Sequence, residues 1–562
     1  MAKYNQAEQK QIQDQSSQLW KIANKLRGSM DASEYKNYIL GLLFYRYLSE
    51  RFEEKLPELG ISYEQYESEY ADLIQDHAFI SQVYTQIGYL IAPKFAWKKI
   101  IAAVQEATAQ ADLFAEMFKN FRDLTAQVNL VADIEPTVKA NAEALKDIFN
   151  DIDANSNRLG ATAAARTKLL SDLVLLINDL EYRSDDKRDL LGDIYENQIK
   201  LFAENMGKKA GEFYTPHNVS RVLAKIVTSD LTAKRLQGSK KQEQAFNIYD
   251  PTCGSGSLLL TVQDEFEKVQ LAAKTKSQTS VPVHFYGQEL NQTTYSLARM
   301  NLMMHNVELA NIHLNNADTL DTDWPLTSKH EPQKFDAIVS NPPYSAHWDP
   351  TGRLEDPRFA EYGRPAPKTY ADFAFVLHSL YHLADNGKFA VVLPHGVLFR
   401  GGDEGVIRRC LIEKNYIDAV IGLPKNLFFA TTIPTVIIVL RKDRGKNKDV
   451  LFIDASKDFE KGKKQNLLPE SAIERIIDTY LKRASVDKYS ALVSFETLKE
   501  NDFTLNIPRY VDTFEEEEPI DLEQVIRDIH ATKLRLADIE QQINEQLKDL
   551  GVDVEAIIAA KE

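Results

Sequence analysis

From about residue 189 onward the chain alternates short apolar runs with helix-like stretches, and that alternation leaves few folds open. The apolar runs stand at 246–249, 284–286, 335–339, 388–393, 419–423 and 435–440. Helix-like stretches lie between or beside them at 219–227, 256–266, 292–305, 371–383 and 405–414. Strands separated by helices cannot form tight hairpins; each helix is a crossover that makes its flanking strands parallel. A parallel sheet needs both faces covered, which suits near-continuous apolar runs. The expected class is therefore α/β, a doubly wound, mostly parallel sheet. Polar inserts at about 267–282 and 345–369 read as loops.

The two ends of the chain have a different texture. Leu19, Ile22, Ala23 and Leu26 recur at helical spacing, as do Tyr38, Leu42, Tyr45 and Leu48, and then Leu169, Leu170, Leu173, Leu176 and Ile177. Such stripes predict the core of an all-helical N-terminal domain. Glu53-Glu54-Lys55 contains the E-x-K of a nuclease site, but it lies in a helical pattern without flanking strands and reads as a solvated face. Near the other end, Val525, Ile529, Thr532, Leu536, Ile539, Ile543 and Leu550 recur at three- and four-residue steps. They predict an amphipathic or coiled-coil helix over about 520–550, folded on its own domain or bound by a partner. The expected division is 1–180 helical, 181–460 α/β, and 461–562 a C-terminal helical tail.

Composition excludes some functions. A net charge of -16 argues against gripping nucleic acid with the whole surface, although a local groove or a partner can supply positive charge. Two cysteines, Cys253 and Cys410, can build neither a disulfide framework nor a Cys-rich metal site, and no clustered ligand set for a metal is visible. With no signal-peptide pattern and no membrane-spanning apolar run, a cytoplasmic protein is expected.

Four constellations carry chemistry. The first is Asn341-Pro342-Pro343-Tyr344, directly after the 335–339 run. Two prolines cannot continue a paired strand, so they hold the backbone extended just past its carboxyl end, where ligands of open α/β sheets bind. There Asn341 offers an amide, Pro342 a carbonyl and Tyr344 an aromatic face, a set that can grip a planar base bearing an exocyclic amine. The second is Asp250-Pro251-Thr252-Cys253-Gly254-Ser255-Gly256, a strand–glycine turn–helix cradle. No Lys-Ser or Lys-Thr follows the glycines, so it is not a P-loop. Asp250 at its head would repel a phosphate and suit an ammonium, as in S-adenosylmethionine. The third comprises the acids that follow the next strands. Glu289 is placed either to accept from ribose hydroxyls or to favour a helix N-terminus. Asp318, after a third strand, either accepts from a cofactor adenine or closes an Asx-turn. The fourth is Gly211-Glu212-Phe213-Tyr214-Thr215-Pro216, whose aromatics could close over a ligand and whose Thr215 could cap a helix opening at Pro216.

In this order the motifs resemble S-adenosylmethionine-dependent amino-methyltransferases of the N6-adenine DNA class. They are closest to the modification subunit of type I restriction-modification systems. Asp189-Leu190-Leu191-Gly192-Asp193-Ile194-Tyr195-Glu196, Ala298-Arg299-Met300-Asn301 and Leu505-Asn506-Ile507-Pro508-Arg509-Tyr510 add to the likeness, which covers nearly the whole chain. The resemblance implies a Rossmann-like methyltransferase fold and methyl transfer to N6 of a flipped-out adenine in double-stranded DNA. It implies catalytic roles for Asn341, Pro342 and Tyr344. The implied cofactor set is Glu212, Phe213, Tyr214, Thr215, Asp250, Thr252, Gly254, Ser255, Gly256, Glu289, Asp318 and Asn341. Implied partners are a specificity subunit, bound by two modification subunits, and an ATP-dependent restriction subunit. The 345–369 insert, which carries Arg353, Arg358, Arg364 and Lys368, is expected either to close over the DNA strand near the flipped base or to be a disordered polar insert. Alternatives are a protein-glutamine methyltransferase, a stand-alone adenine or N4-cytosine DNA enzyme, and a non-catalytic scaffold.

Overall fold

The computed structural model describes residues 6–26, 32–109, 112–131, 134–183, 190–205, 214–229, 231, 245–273, 281–428, 433–463, 465–513 and 521–552. Met1–Val511 forms one compact unit and Asp512–Glu562 a second.

The first unit is built on a nine-stranded sheet. Its strands are β1 (Phe246–Asp250), β2 (Val283–Gln288), β3 (Ile312–Asn315), β4 (Phe335–Ser340), β5 (Leu383–Pro394), β6 (Ile417–Gly422), β7 (Thr435–Arg441), β8 (Val450–Asp454) and β9 (Ser490–Val493). Their order across the sheet is β9–β8–β6–β7–β5–β4–β1–β2–β3. Strands β5, β4, β1, β2 and β3 run parallel, and so do β6 and β8. Strand β7 is antiparallel to both neighbours, and β9 is antiparallel to β8. All six expected runs are strands, and the chain order reverses between β1 and β4, so the carboxyl ends of these two strands flank the crevice where such sheets hold ligands.

Alternating side chains divide the core between the two faces. Ile248, Phe285, Ala337, Val339 and Ala390 face one side, with helices His217–Thr228, Ser257–Ala273 and Gln292–Met304. Tyr249, Ile338, Phe389 and Val391 face the other, with helices Asp372–His382 and Gly402–Glu413. The helix Ser257–Ala273 takes in the first part of the 267–282 segment that was expected to be loop, because its apolar stripe continues through Phe266 and Val269. The N-terminal helices share the first core. Tyr47 donates to the Met303 carbonyl at 2.6 Å, and Tyr195 to the Met300 sulfur at 3.2 Å. Glu53 and Lys55 make surface ion pairs with Lys98 and Glu58, as a solvated face would.

The 345–369 insert is tied down in a way its polar composition hides. Trp348 is buried and donates to the Ala366 and Pro367 carbonyls. Arg358 is 1% exposed. Its guanidinium donates to the Thr319 and Leu320 carbonyls (2.9 and 3.0 Å), Asp356 (2.7 Å) and His378 Nδ1 (3.2 Å). That last bond requires a bare Nδ1, so the proton sits on Nε2, facing the Tyr249 hydroxyl at 2.8 Å. Burial pushes His378 well below its ordinary pKa, consistent with a neutral ring. Arg358 is thus an internal anchor and is not available to DNA, and Arg353 pairs with Asp321 and Asp356. Of the four cations, Arg364 and Lys368 are exposed. Arg358→Ala strands two carbonyls and the His378 nitrogen in the interior. We expect it to lower unfolding free energy by about 3 kcal/mol, read as a shift in urea midpoint at unchanged slope.

The second unit contains one described helix, Leu522–Asp549, capped by Asp521 accepting from Gln524 N at 3.0 Å. Val525, Ile529, Leu536, Ile539 and Ile543 lie along it and are 40–56% exposed. None of the helices among the described residues is long and apolar enough to cross a membrane.

Candidate active site

The glycine turn leaves β1 at Asp250 and enters the helix Ser257–Ala273. Gly254 (φ 53°) and Gly256 (φ 75°) adopt left-handed conformations that a side chain would strain. Asp250 is 1% exposed, and its Oδ1 accepts from Thr252 N at 2.9 Å. Burial raises its pKa to about 7, against the pull of the Thr252 hydrogen bonds. Glu289, just past β2, accepts from Gly254 N (3.2 Å) and Asn291 N (2.8 Å), so its carboxylate holds the turn from the side of the second strand. Burial raises its pKa as well. Asn301 donates to the Ser255 carbonyl at 3.0 Å and fixes the turn from the helix Gln292–Met304. Gly287 allows a close approach here: a β-carbon on it would meet the Cys253 sulfur at 2.9 Å.

The second loop leaves β4 beside the first. Ser340 and Thr252 hydroxyls lie 2.9 Å apart, joining the end of β4 to the glycine turn. Asn341 is 9% exposed and doubly held: its Nδ2 donates to Thr215 Oγ1 (3.1 Å), while its Oδ1 accepts from the Tyr344 hydroxyl (2.8 Å). Among the described residues nothing donates to the neighbouring Pro342 carbonyl. The tetrapeptide therefore presents two acceptors side by side, one unpaired and one covered only by a tyrosine on the same loop. Phe428 stands edge-on to Tyr344, with centroids 6.3 Å apart.

These loops border a small cleft lined by Tyr214, Thr215, Asp250, Thr252, Gly254, Ser255 and Asn341, with Cys253, Ser257 and Leu258. Seven of the expected site residues meet there. Thr215 does not cap the following helix, whose first residue is His217 with Pro216 at the cap position; its hydroxyl serves Asn341 instead. Glu289 adjoins the turn through its bond to Gly254 N and is not among the residues that line the cleft. Asp318 Oδ1 accepts from Leu320 N (2.9 Å), closing an Asx-turn, and does not line the cleft. Glu212 and Phe213 lie outside the described residues. Sequence reasoning missed Phe428 and the pairings of Ser340, Thr215 and Asn301, because each joins residues far apart in the chain.

Chemically, the described residues that line the cleft bring one acid and several hydroxyls, and among the described residues no lysine or arginine lines it. The acid, Asp250, suits a cationic group and disfavours a phosphate, and the hydroxyls can bond a ligand's polar groups.

Comparison with known proteins gives the same direction. A family model described as N-6 DNA Methylase matches residues 186–519, and one described as HsdM N-terminal domain matches residues 15–177. The chain is 35% identical to the methylase subunit of the type I restriction enzyme MpnII of Mycoplasma pneumoniae over 96% of each chain. It is 27% identical to the MjaIX methylase subunit of Methanocaldococcus jannaschii, over 95% of this chain and 90% of that one. Among solved structures it is similar to the methyltransferase subunit of a type I restriction-modification system from Streptococcus thermophilus. The identity is 39% and the TM-score 0.75, covering 89% of this chain and all of the other.

Proposed function

Since the chain belongs to the N-6 DNA methylases and, within them, to the methylase subunits of type I restriction enzymes, we propose that its two-loop cleft moves a methyl group from S-adenosylmethionine to N6 of an adenine turned out of duplex DNA. The observation that carries this reading is the pair of acceptors, Asn341 Oδ1 and the Pro342 carbonyl, bonded through Ser340 and Thr252 to an acid-led glycine turn.

S-adenosylmethionine, when bound, supplies an electrophilic methyl group. Asp250 would hold its ammonium, Glu289 its ribose hydroxyls, and the glycine turn would admit it without a side chain in the way. The chain's own work lies on the acceptor side. Adenine N6 is a poor nucleophile because its lone pair is delocalised into the ring. Asn341 Oδ1 and the Pro342 carbonyl accept the two N6 hydrogens, draw the nitrogen toward tetrahedral geometry and localise the lone pair. Thr215 fixes the amide so that its oxygen, and not its nitrogen, faces the base. The entering base displaces the Tyr344 hydroxyl from Oδ1, which frees the ring to stack on it, a contact contributing roughly 1–3 kcal/mol. Duplex DNA is grasped with a specificity subunit that carries two such chains, and an ATP-dependent restriction subunit joins the full complex. Residues 1–180 serve as a helical segment and 181–460 as the catalytic one; of 461–562, the part up to Val511 completes the catalytic unit and the helix Leu522–Asp549 is the partner-binding segment, the whole acting in the cytoplasm.

The Asp250 environment predicts a pH dependence. Its folded pKa is raised to about 7, so it keeps a proton that the unfolded chain loses at lower pH. The stability this contributes is present in acid and lost as pH rises through about 7. An ammonium needs the carboxylate, so cofactor affinity runs the other way. At pH 6 roughly nine tenths of Asp250 is protonated, and the apparent Kd by calorimetry should be about tenfold weaker than at pH 8. Asp250→Asn should bind weakly with little pH dependence. An Asp250 enzyme with affinity constant from pH 6 to 8 contradicts the assignment.

Tritiated-methyl cofactor, offered with plasmid DNA or with bulk protein, tests the substrate class. Label is expected in DNA; label in protein alone would point to glutamine as the acceptor.

A further inference from the structure

Beyond Tyr344 the site continues into a rim fixed by successive contacts. Ser345 N donates to Asp372 Oδ1 at 3.1 Å, and Asp372 Oδ2 accepts from Arg400 Nη1 at 3.4 Å. Arg400 also donates to Glu404 (3.2 Å) and lies 4.2 Å over the Tyr370 ring. The residue before it, Phe399, is 53% exposed, although Val397 and Leu398 are fully buried. The backbone on both sides of Phe399 is clamped. Buried Arg408 donates to the Val397 and Arg400 carbonyls (3.1 and 2.8 Å), and Leu505 N donates to the Leu398 carbonyl (2.8 Å). The Leu505-to-Tyr510 motif thus braces this turn. A large aromatic side chain is held out into solvent on a rigid stalk.

Its place in the sheet says what it faces. Ser340 of β4 pairs with Val391 of β5, and both strands run to the same end. The two strands are neighbours, ~5 Å apart; the Asn341–Tyr344 loop follows one, and the Phe399 turn follows the other after the short helical turn His395–Leu398. The rim also exposes Tyr370 and Lys368, and Arg364 beside Asp403. Aromatic and cationic groups on one edge match stacked bases and phosphates.

Resting on the methylase reading above, we propose that Phe399 is the wedge that enters the duplex where the target adenine leaves, filling its place in the stack and holding the partner strand's bases apart. Apolar side chains that enter base steps act in this way at other bent or opened DNA sites. The occupant of the rim is the DNA duplex at the target pair. The cost of opening that pair is what Phe399 offsets, so its contribution should vanish when the pair is already open.

The test uses the complex with its specificity subunit and two duplexes of the same sequence, one fully paired and one with an abasic site opposite the target adenine. Phe399→Ala is expected to slow methylation of the paired duplex by about tenfold to a hundredfold, and to act within about twofold of the unaltered complex on the abasic duplex. Phe399→Trp should retain activity on both. Equal loss on both duplexes, loss on neither, or failure of Phe399→Ala to hold the specificity subunit in a pull-down would overturn the proposal. If the unaltered complex methylates neither duplex, the methylase reading itself has failed.

Discussion

Asn341→Ala is expected to bind S-adenosylmethionine within a few-fold of the unaltered protein and to methylate DNA at least about 10²–10³ times more slowly, the usual cost of losing one preorganised hydrogen-bonding group at the reacting centre. Asn341 sits between the two halves of the site, with its Nδ2 on Thr215 and its Oδ1 toward Tyr344. The Asp250 carboxylate, the Glu289 carboxylate and the glycine turn do not depend on it, so cofactor binding should persist. The loss should fall on kcat, because the acceptor works on a nitrogen that is planar in the ground state and pyramidal in the transition state. Thr215→Val should show a smaller loss of the same kind, since it releases the amide without removing the oxygen. Unchanged turnover in Asn341→Ala would sink the catalytic assignment.

Deleting the chain after about residue 519 is expected to abolish association with the specificity subunit while leaving cofactor binding intact. The helix Leu522–Asp549 shows Val525, Ile529, Leu536, Ile539 and Ile543 at heptad-compatible steps of four, seven, three and four residues, all substantially exposed. Burying an aliphatic side chain contributes roughly 1.5–3 kcal/mol, so a seam of five outweighs the ~4 kcal/mol that separates firm binding from a thousandfold weaker one. Pull-down of the specificity subunit should drop to background. The sheet and both loops lie before the deletion, so calorimetry should still report cofactor binding. A truncated chain that keeps its partner would place the contact elsewhere.

The sequence revealed the parts of this fold that are locally encoded. Strands β1, β4, β5, β6 and β7 are buried on both faces and read as near-continuous apolar runs, and the helices between them set the parallel class. Strands β8 and β9 escaped notice. β9 is a four-residue edge strand, half-exposed and too short to stand out. Nothing in the run Thr435–Arg441 marks its antiparallel insertion between β5 and β6, because a strand's direction is decided by how its connections run and not by its own residues. The site divides in the same way. Asp250, Gly254, Gly256 and Asn341 were legible because a strand end, a glycine turn or a double proline marks them locally. The bonds that turn these residues into one site join Thr215 to Asn341, Thr252 to Ser340 and Asn301 to Ser255. They span 126, 88 and 46 positions, and no local pattern carries them. Arg358 shows the opposite error: a cation in a polar insert reads as surface, but the carbonyls that bury it come from 36 or more residues away.

The most direct test is to incubate plasmid DNA and S-adenosylmethionine with this chain, with and without its specificity subunit, and then to map the modified base. The account predicts N6-methyladenine at a single sequence motif when both subunits are present, and its loss with Asn341→Ala. Methyl groups on cytosine N4, or no DNA methylation by the two subunits together, would contradict it.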